Sequence, residues 1–261
     1  MDIVGFVAGV MLWGALAGLL LPRAVYRLAV EADLPRRSAC PAGHRLTGPA
    51  RGWLGLAVCP RCTPPAPGTR SRWRGGFAPA GGAVLATILV CLALGAGVGA
   101  RPELVVWLLL APFTVLLCLV DRAVHRLPDV LTLPLAAGTA LALGAAALAE
   151  GAGGSWTRAL LGGLALGGAY LLLFFINPRG MGFGDVKLAL VVGQVLGWYG
   201  WPVLLAGTFA AFLGGAVHGL ALIALRRADR NSPIPFGPFM AGGALAGVVW
   251  AGLGLGAAAG L

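Results

Sequence analysis

Two aspartates of this chain stand at the ends of long apolar stretches, where a charged side chain is costly. Asp121 follows the apolar run 103–120, and Asp185 precedes the run 186–200. The whole chain has only nine acidic residues, and ionisable groups at membrane depth are candidates for function by default. Two carboxylates that meet in a water-accessible site can share a proton and activate water. Asp121 and Asp185 are therefore the candidate catalytic pair.

The composition indicates that the chain is embedded in a lipid membrane. The chain is 59% hydrophobic and 11% charged, with a mean hydropathy of +0.89, which soluble domains do not reach. The 43 glycines suit helices that approach closely in lipid. The apolar runs are continuous rather than alternating, which disfavours a transmembrane barrel. We predict an all-α polytopic membrane protein.

About eight apolar runs are long enough to cross a bilayer, for which about 20 residues are needed. They are 3–22, 79–98, 103–120, 130–149, 158–176, 186–200, 202–224 and 236–258. The run 186–200 is short and contains glycines, so a tilted or broken helix is the alternative there. Arg23 and Arg27 follow the first run, which predicts an uncleaved span with its N-terminus outside; a signal peptide is the alternative.

The distribution of basic residues predicts the orientation. The loops 23–78, 121–128, 177–187 and 224–234 carry 17 of the 19 basic residues, and only Arg101 and Arg158 fall elsewhere. Because cytoplasmic loops collect Lys and Arg, these four loops should face the cytoplasm. Loops are basic in any chain of pI about 10.7, but the alternation between successive loops supports this topology. The net charge of +10 indicates contact with anionic membrane lipids and not with nucleic acid.

This topology places both aspartates on one face of the membrane. The runs 130–149 and 158–176 lie between them, and two crossings return the chain to the same side. Both carboxylates should therefore lie at cytoplasmic helix ends in one shallow site. In such a pair an ionised aspartate takes a proton from water while its protonated partner polarises the scissile carbonyl.

Three glycines lie just before the second aspartate. Gly180, Gly182 and Gly184 lack the Cβ atom that restricts other residues. We expect them to allow unusual backbone angles and the close approach of an extended substrate chain.

Three separated segments carry a family resemblance. Residues 121–135, 180–188 and 234–239, in this order, resemble the bacterial type IV prepilin peptidases, which are membrane aspartic proteases of the Gly-x-Gly-Asp type. The resemblance covers roughly residues 80–258. It implies removal of the short basic leader of prepilins and pseudopilins, after a Gly, at the cytoplasmic face of the bacterial inner membrane. It also implies that Asp121 and Asp185 are catalytic, with no cofactor needed for proteolysis.

Other residues of these segments have supporting or structural interpretations. Asp129 matches a further acidic position of the family, and a helix N-cap is the alternative. Lys187 is the only lysine and could tune Asp185 or meet a lipid phosphate, with a positive-inside anchor as the alternative. His125 and Arg126 either contact substrate or lie in a solvated loop. Pro235 and Pro238 are expected to set the entry geometry of the last helix, and Phe236 and Phe239 to pack near the membrane interface. His218 is expected to be packed or hydrogen-bonded between helices.

The basic loop 23–78 contains a candidate metal site. It holds three of the five cysteines, as Cys40 with His44 four residues on, followed by Cys59 and Cys62. Three thiolates and an imidazole suit tetrahedral zinc, and a cytoplasmic loop keeps thiols reduced. Many prepilin peptidases carry two Cys-x2-Cys pairs here, whereas in this chain Gly43 occupies the second cysteine position and His44 must substitute. The alternative is unconnected thiols in a disordered loop.

We thus expect a first transmembrane helix at 1–22, a zinc-knuckle-like cytoplasmic loop at 23–78 and a protease core at 79–261. Within the core, Cys91 and Cys118 should behave as small apolar residues. The resemblance also implies N-methylation of the processed pilin with S-adenosylmethionine. However, residues 23–78 do not show the order of strand, Gly-rich turn and helix that a nucleotide fold requires.

Two other classes of protein remain alternatives. A proton-coupled transporter would also place carboxylates in a helical bundle, but nearer the membrane midplane and with an internal repeat, which this sequence does not show. A noncatalytic subunit of a secretion system would have no need of two aspartates combined with glycines. The paired aspartates at helix ends favour the peptidase.

Overall fold

The computed structural model describes residues 3–31, 34–59, 61–62, 80–178, 181–227, 229 and 233–254. Nine helices are present in these ranges, and no strand, only an isolated antiparallel bridge between Ala39 and Arg45. The helices are α1 (Ile3–Leu28), α2 (Pro49–Gly52), α3 (Ala80–Val98), α4 (Glu103–Val124), α5 (Asp129–Ala147), α6 (Trp156–Ile176), α7 (Phe183–Tyr199), α8 (Trp201–Ala224) and α9 (Gly237–Gly252). The prediction of an all-α polytopic membrane protein is confirmed.

Each of the eight predicted runs contains a helix among the described residues. Six of these helices, α1, α3, α4, α5, α6 and α8, are long and apolar enough to cross a membrane, and α9 is a shorter apolar helix. The α1 helix continues six residues beyond the predicted end at 22, through Pro22 to Leu28. The α2 helix is a single turn in which Ala50 and Arg51 have left-handed backbone angles.

The helix α7 is the centre of the bundle, although its apolar run is the weakest of the predicted spans. It is a continuous helix of 17 residues, and eleven of them are buried. It packs against α5, α6, α8 and α9. Because protein rather than lipid surrounds α7, the helix needs neither the length nor the unbroken apolar surface of a lipid-facing span.

Glycine seams bring the helices of the bundle into close contact. Between α6 and α7, a Cβ on Gly162 would lie 2.5 Å from the carbonyl oxygen of Gly193. Between α8 and α9, a Cβ on Gly207 would lie 2.9 Å from the carbonyl oxygen of Gly243. Small residues of this kind allow the close backbone approach on which helix association in lipid depends.

The described chain forms two compact units, Met1–Leu92 and Ala93–Leu261. The division lies inside α3, whereas the sequence-based organisation assigned α3 entirely to the later helices. Glycines of α1 explain why the first part of α3 belongs with α1. A Cβ on Gly14 would lie 2.9 Å from the Ile88 Cα, and one on Gly18 would lie 2.7 Å from the Val84 Cα.

Candidate active site

Asp121 lies in the last turn of α4 and is buried, with 4% of its surface exposed. One carboxylate oxygen, Oδ2, accepts a hydrogen bond of 2.9 Å from the backbone N–H of Gly237. Gly237 is the first residue of α9, and its N–H has no partner within that helix. The start of α9 therefore holds the carboxylate at the end of α4.

Asp185 is the third residue of α7 and is also buried, with 8% of its surface exposed. Its Oδ2 accepts a hydrogen bond of 3.1 Å from the backbone N–H of Gly182, the N-cap residue of α7. The backbone N–H of Asp185 in turn donates to the Gly182 carbonyl at 3.0 Å. Glycine has no side chain to complete a capping box, but the bond from the Gly182 N–H still fixes the Asp185 side chain at the helix start.

The two carboxylates line one cavity of about 480 Å³. Its wall is built from the α4–α5 loop, the start of α7 and the segment before α9, and consists of Asp121, His125, Arg126, Leu127, Asp129, Pro178, Met181, Gly182, Phe183, Gly184, Asp185, Lys187, Pro233, Ile234, Pro235 and Phe236. The structure thus brings together eight predicted site residues at one end of the bundle: Asp121, His125, Arg126, Asp129, Gly182, Gly184, Asp185 and Lys187. Gly180 lies outside the described residues.

Lys187 pairs with Asp129 and not with Asp185. The Lys187 Nζ lies 2.6 Å from the Asp129 Oδ1, and it also stands 4.6 Å from the centre of the Phe183 ring. The alternative role of Asp129 as a helix N-cap is wrong by one residue, because Pro128 is the N-cap of α5 and Asp129 is the first helical residue. The ion pair links the start of α5 to the start of α7 on the wall of the cavity.

Gly182 and Gly184 do not have the unusual backbone angles predicted for the glycines before Asp185. Gly182 has ordinary extended angles (φ −74°, ψ 142°), and Gly184 is helical, so neither needs an unusual backbone conformation. The close approach at Gly184 is to the protein itself, since a Cβ there would lie 2.8 Å from the Cβ of Leu127. Gly184 therefore lets α7 pack against the α4–α5 loop that follows Asp121.

Sequence reasoning missed Gly237 and Leu127. Gly237 contributes a backbone N–H, which leaves no signature in residue type, and Leu127 contributes a contact surface. The available signal was the placement of Gly237 between Phe236 and Pro238 in a segment already singled out. Pro238 lies in the first turn of α9, as its predicted structural role requires.

The four predicted metal ligands form a second cluster, in the unit Met1–Leu92. The ligand atoms of Cys40, His44, Cys59 and Cys62 all lie within 4.8 Å of one another. The His44 Nδ1 is 3.6 Å from the Cys40 Sγ, 3.8 Å from the Cys59 Sγ and 3.6 Å from the Cys62 Sγ. Tetrahedral zinc with Zn–S bonds of about 2.3 Å places its ligand atoms about 3.5–3.8 Å apart. The donor set and its spacing fit such an ion.

The turn between Cys40 and His44 explains the missing cysteine. The Cys40 N–H donates to the His44 carbonyl at 2.8 Å, and the Gly43 N–H donates to the Cys40 carbonyl at 2.9 Å. Gly43 has a φ of +84°, in the left-handed region that side chains disfavour. Position 43 of this turn therefore favours glycine over cysteine, and the next residue, His44, supplies the ligand.

Hydrogen bonds also favour the thiolate of Cys59. Desolvation raises the pKa of this thiol, but donors from the Arg61 and Cys62 backbone and from the Cys62 and Cys40 thiols outweigh it and lower the pKa to about 6. The thiolate is the form that binds metal ions.

The described helices and the two buried carboxylates that line one cavity define a class, a polytopic membrane protein with paired aspartates at one end of its helices. Comparisons with known proteins identify the family within it. The model of the type IV leader peptidase family matches residues 108–222. The prepilin leader peptidase/N-methyltransferase of Aeromonas hydrophila is 32% identical over 231 residues, 82% of this chain and 71% of the relative.

Two further relatives carry the same name. The Pseudomonas aeruginosa protein is 36% identical over 152 residues, 56% of this chain and 48% of the relative. The Aeromonas salmonicida protein is 34% identical over 170 residues, 64% of this chain and 55% of the relative. The matched part is thus about half the length of these two proteins. No solved structure matches the chain. The chain belongs to the type IV leader peptidase family.

Proposed function

We propose that this protein is a membrane aspartic endopeptidase that removes the leader of type IV prepilins or pseudopilins. The observation that carries the proposal is the meeting of Asp121 and Asp185 in one cavity of about 480 Å³. The names of the curated relatives, prepilin leader peptidase/N-methyltransferase, supply the substrate class and its cleaved part. The cavity lies at helix ends, which fits a peptidase better than a transporter with a site at the midplane.

The proposed chemistry uses only the two carboxyl groups and water. The ionised aspartate accepts a proton from water, and the resulting hydroxide oxygen forms a bond to the scissile carbonyl carbon. The protonated partner donates a hydrogen bond to the carbonyl oxygen as negative charge develops there. Collapse of the tetrahedral intermediate breaks the C–N bond, and the leaving nitrogen takes a proton from the carboxyl group that accepted it from water.

Each carboxylate is held in advance of this reaction. Asp121 and Asp185 each have one oxygen bound to a backbone N–H, at 2.9 and 3.1 Å. One oxygen of each group is thereby fixed, and the other is available to water or substrate. Such pre-organisation lowers the entropic cost of reaching the reactive geometry.

The basic loops support a cytoplasmic orientation of this site. Arg122 and Arg126 flank the end of α4, Lys187 lies on the cavity wall, and Arg226 and Arg227 follow α8. Because positive residues collect on the cytoplasmic side, we infer that the cavity opens at the cytoplasmic face of the bacterial inner membrane. There the loops contact anionic lipid headgroups.

Cleavage of a co-expressed prepilin, followed by the mobility of the pilin on gels, tests the peptidase. We expect Asp121→Asn and Asp185→Asn each to abolish leader removal. Glu150→Gln is the matched control, since this acidic residue is exposed in the turn after α5 and does not line the cavity. Wild-type cleavage by both aspartate variants would refute the carboxylate pair.

We also propose that the Cys40, His44, Cys59 and Cys62 cluster holds structural zinc. The support is the fit of the ligand distances to a tetrahedral ion, described above. Metal analysis of the purified protein should find one zinc per chain, lost in a Cys59→Ser/Cys62→Ser variant and kept in Cys91→Ser. Cys91 is a suitable control because it is fully buried within α3. Zinc retained by the double variant would contradict the proposal.

A second activity is favoured by the relatives' names, which include N-methyltransferase. In this protein it would transfer a methyl group from S-adenosylmethionine to the new N-terminal amine of the pilin, with release of S-adenosylhomocysteine. Mass spectrometry of the processed pilin measures the methyl group directly. A fully cleaved but unmethylated pilin would restrict this chain to proteolysis.

A further inference from the structure

Residues 234–239, the segment that leads into and begins α9, bring the backbone of Gly237 so close to Asp121 that a side chain at position 237 would not fit. Besides the hydrogen bond from the Gly237 N–H, a Cβ added at Gly237 would lie 2.8 Å from the Asp121 Oδ2 and 3.3 Å from its Cγ. Contacts under 3.0 Å force one of the two groups to move. The group in contact here is the Asp121 carboxylate, so a methyl group added at position 237 would displace that carboxylate.

The helix α8 holds this segment from one side. Three glycines of α8 face three apolar side chains of the segment. A Cβ on Gly219 would lie 3.0 Å from the Ile234 Cδ1, one on Gly215 would lie 3.2 Å from the Phe236 ring, and one on Gly214 would lie 3.4 Å from the Phe239 ring. The His218 ring also stands 5.4 Å from the Phe239 ring. The side chains of 234–239 are thus seated against a smooth face of α8.

Aromatic rings of α6 and α8 also pack against Phe236 of this segment. The Phe236 ring lies 6.3 Å from the ring of Tyr170 and 5.1 Å from that of Phe212. Tyr170 belongs to α6 and is 2% exposed, so this partner is itself fixed by the core. Phe236 immediately precedes Gly237, so its position sets the direction of the Gly237 N–H.

We propose that Gly237 is a positioning residue for Asp121, oriented by the seating of Ile234, Phe236 and Phe239. Its N–H occupies Oδ2 and thereby fixes the carboxylate rotamer, while the absence of a side chain leaves room for that rotamer. This assignment rests on the proposed carboxylate-pair peptidase. A backbone donor is suited to the task because it is carried by the helix itself and has no rotamers of its own.

Three alanine variants of α9 separate positioning from packing. In Gly237→Ala the new methyl group displaces Asp121. In Gly242→Ala nothing lies within 4 Å of the added Cβ. In Gly243→Ala the Cβ would strike the Gly207 carbonyl oxygen and lie 2.9 Å from the Cβ and the N of Ala211, so it disturbs the contact of α9 with α8. The kcat and KM for prepilin cleavage and the Tm in detergent are measured for each purified variant.

We expect Gly237→Ala to lower kcat about ten- to a hundredfold, the scale of a misplaced catalytic group, with KM and Tm close to wild type. Gly242→Ala should be unchanged in all three. Gly243→Ala should lose Tm but keep the kcat of its folded fraction. A wild-type kcat for Gly237→Ala would overturn the inference. It would also be overturned if Gly237→Ala lost kcat together with as much Tm as Gly243→Ala loses, because the variant would then be unstable rather than misaligned. Asp121→Asn and Asp185→Asn are measured in parallel and test the peptidase itself. If both are active, the proposed function is refuted. If both are inactive and Gly237→Ala is fully active, only the positioning role is refuted.

Discussion

The ammonium group of Lys187 lies 2.6 Å from the carboxylate of Asp129, although Asp185 is only two residues away in sequence. Residues at i and i+2 on a helix do not face each other, so the Asp185 and Lys187 side chains leave α7 in different directions. Asp185 caps its own helix start, and Lys187 reaches the first residue of α5. Lys187 therefore contributes to the shape of the cavity rather than to a direct contact with Asp185.

Removal of this ion pair should have small effects on stability. Because 65% of the Asp129 side chain is exposed, we expect Asp129→Asn to cost less than about 1 kcal/mol of unfolding free energy. A reduction of cleavage by a few fold should follow from the loss of the link between α5 and α7. The charge-reversed double variant Asp129→Lys/Lys187→Asp should regain part of what each single variant loses, as measured by kcat/KM. Strict additivity of the two single effects would contradict a direct role for the pair.

The two glycines before Asp185 should differ in their tolerance of alanine. A Cβ on Gly184 would meet Leu127 at 2.8 Å, whereas a Cβ on Gly182 would have an ordinary contact of 3.4 Å with the Asp185 Oδ2. We expect Gly184→Ala to destabilise by about 1–3 kcal/mol, typical of overpacking, and to lower cleavage, while Gly182→Ala stays near wild type. Thermal unfolding and kcat/KM measure both effects.

A compensating change provides the control for Gly184. The Leu127→Ala substitution removes the side chain that a methyl group added at position 184 would strike. We expect the double variant Gly184→Ala/Leu127→Ala to be more stable than Gly184→Ala alone. If Leu127→Ala instead adds its full cost to that of Gly184→Ala, the contact between the two is not what requires the glycine.

The fold could be predicted from the sequence because lipid makes apolarity and helix length decisive. Every predicted run contains a helix, and the short run 186–200 corresponds to the continuous helix α7, which ends at Tyr199. The end of α1 could not be predicted in the same way. Arg23 and Arg27 would ordinarily mark a solvated loop, but here their guanidinium groups bind the carbonyls of the loop that follows, so the helix continues to Leu28.

The site was predictable to the extent that it depends on charge and on the number of crossings. The meeting of Asp121 and Asp185 follows from two intervening spans, and the Cys and His cluster follows from spacing and donor chemistry. The contributions of Gly237 and Leu127 could not be predicted. One is a backbone atom and the other a contact surface, and their positions are fixed only when α9 packs against the end of α4 and α7 against the α4–α5 loop.

Arg23 should hold the metal-binding loop on the end of α1. Its guanidinium group donates to the carbonyls of Thr47 at 2.6 Å, Leu56 at 2.8 Å and Val58 at 3.3 Å. Lysine has the same charge but lacks the planar fork of donors. We expect Arg23→Lys to accelerate proteolytic cleavage within 34–62 without loss of zinc stoichiometry. Arg126→Lys is the matched control, and equal protease resistance of Arg23→Lys and wild type would contradict the clamp.

Glu103 should matter for stability and not for catalysis. It lies at the opposite end of α4 from Asp121 and is 0% exposed. The backbone N–H of Gly153 donates to both of its carboxylate oxygens at 3.2 Å, which ties the α5–α6 connection to the start of α4. Truncation would remove this charge-assisted hydrogen bond from a fully buried position, so we expect Glu103→Ala to cost about 1–3 kcal/mol, measured by unfolding in detergent. Glu103→Gln keeps an acceptor and should cost less. Because Glu103 lies a full helix length from the cavity, both variants should retain the wild-type kcat per folded molecule. A loss of kcat in Glu103→Gln at unchanged stability would contradict this expectation and would mean that the two ends of α4 are coupled during cleavage.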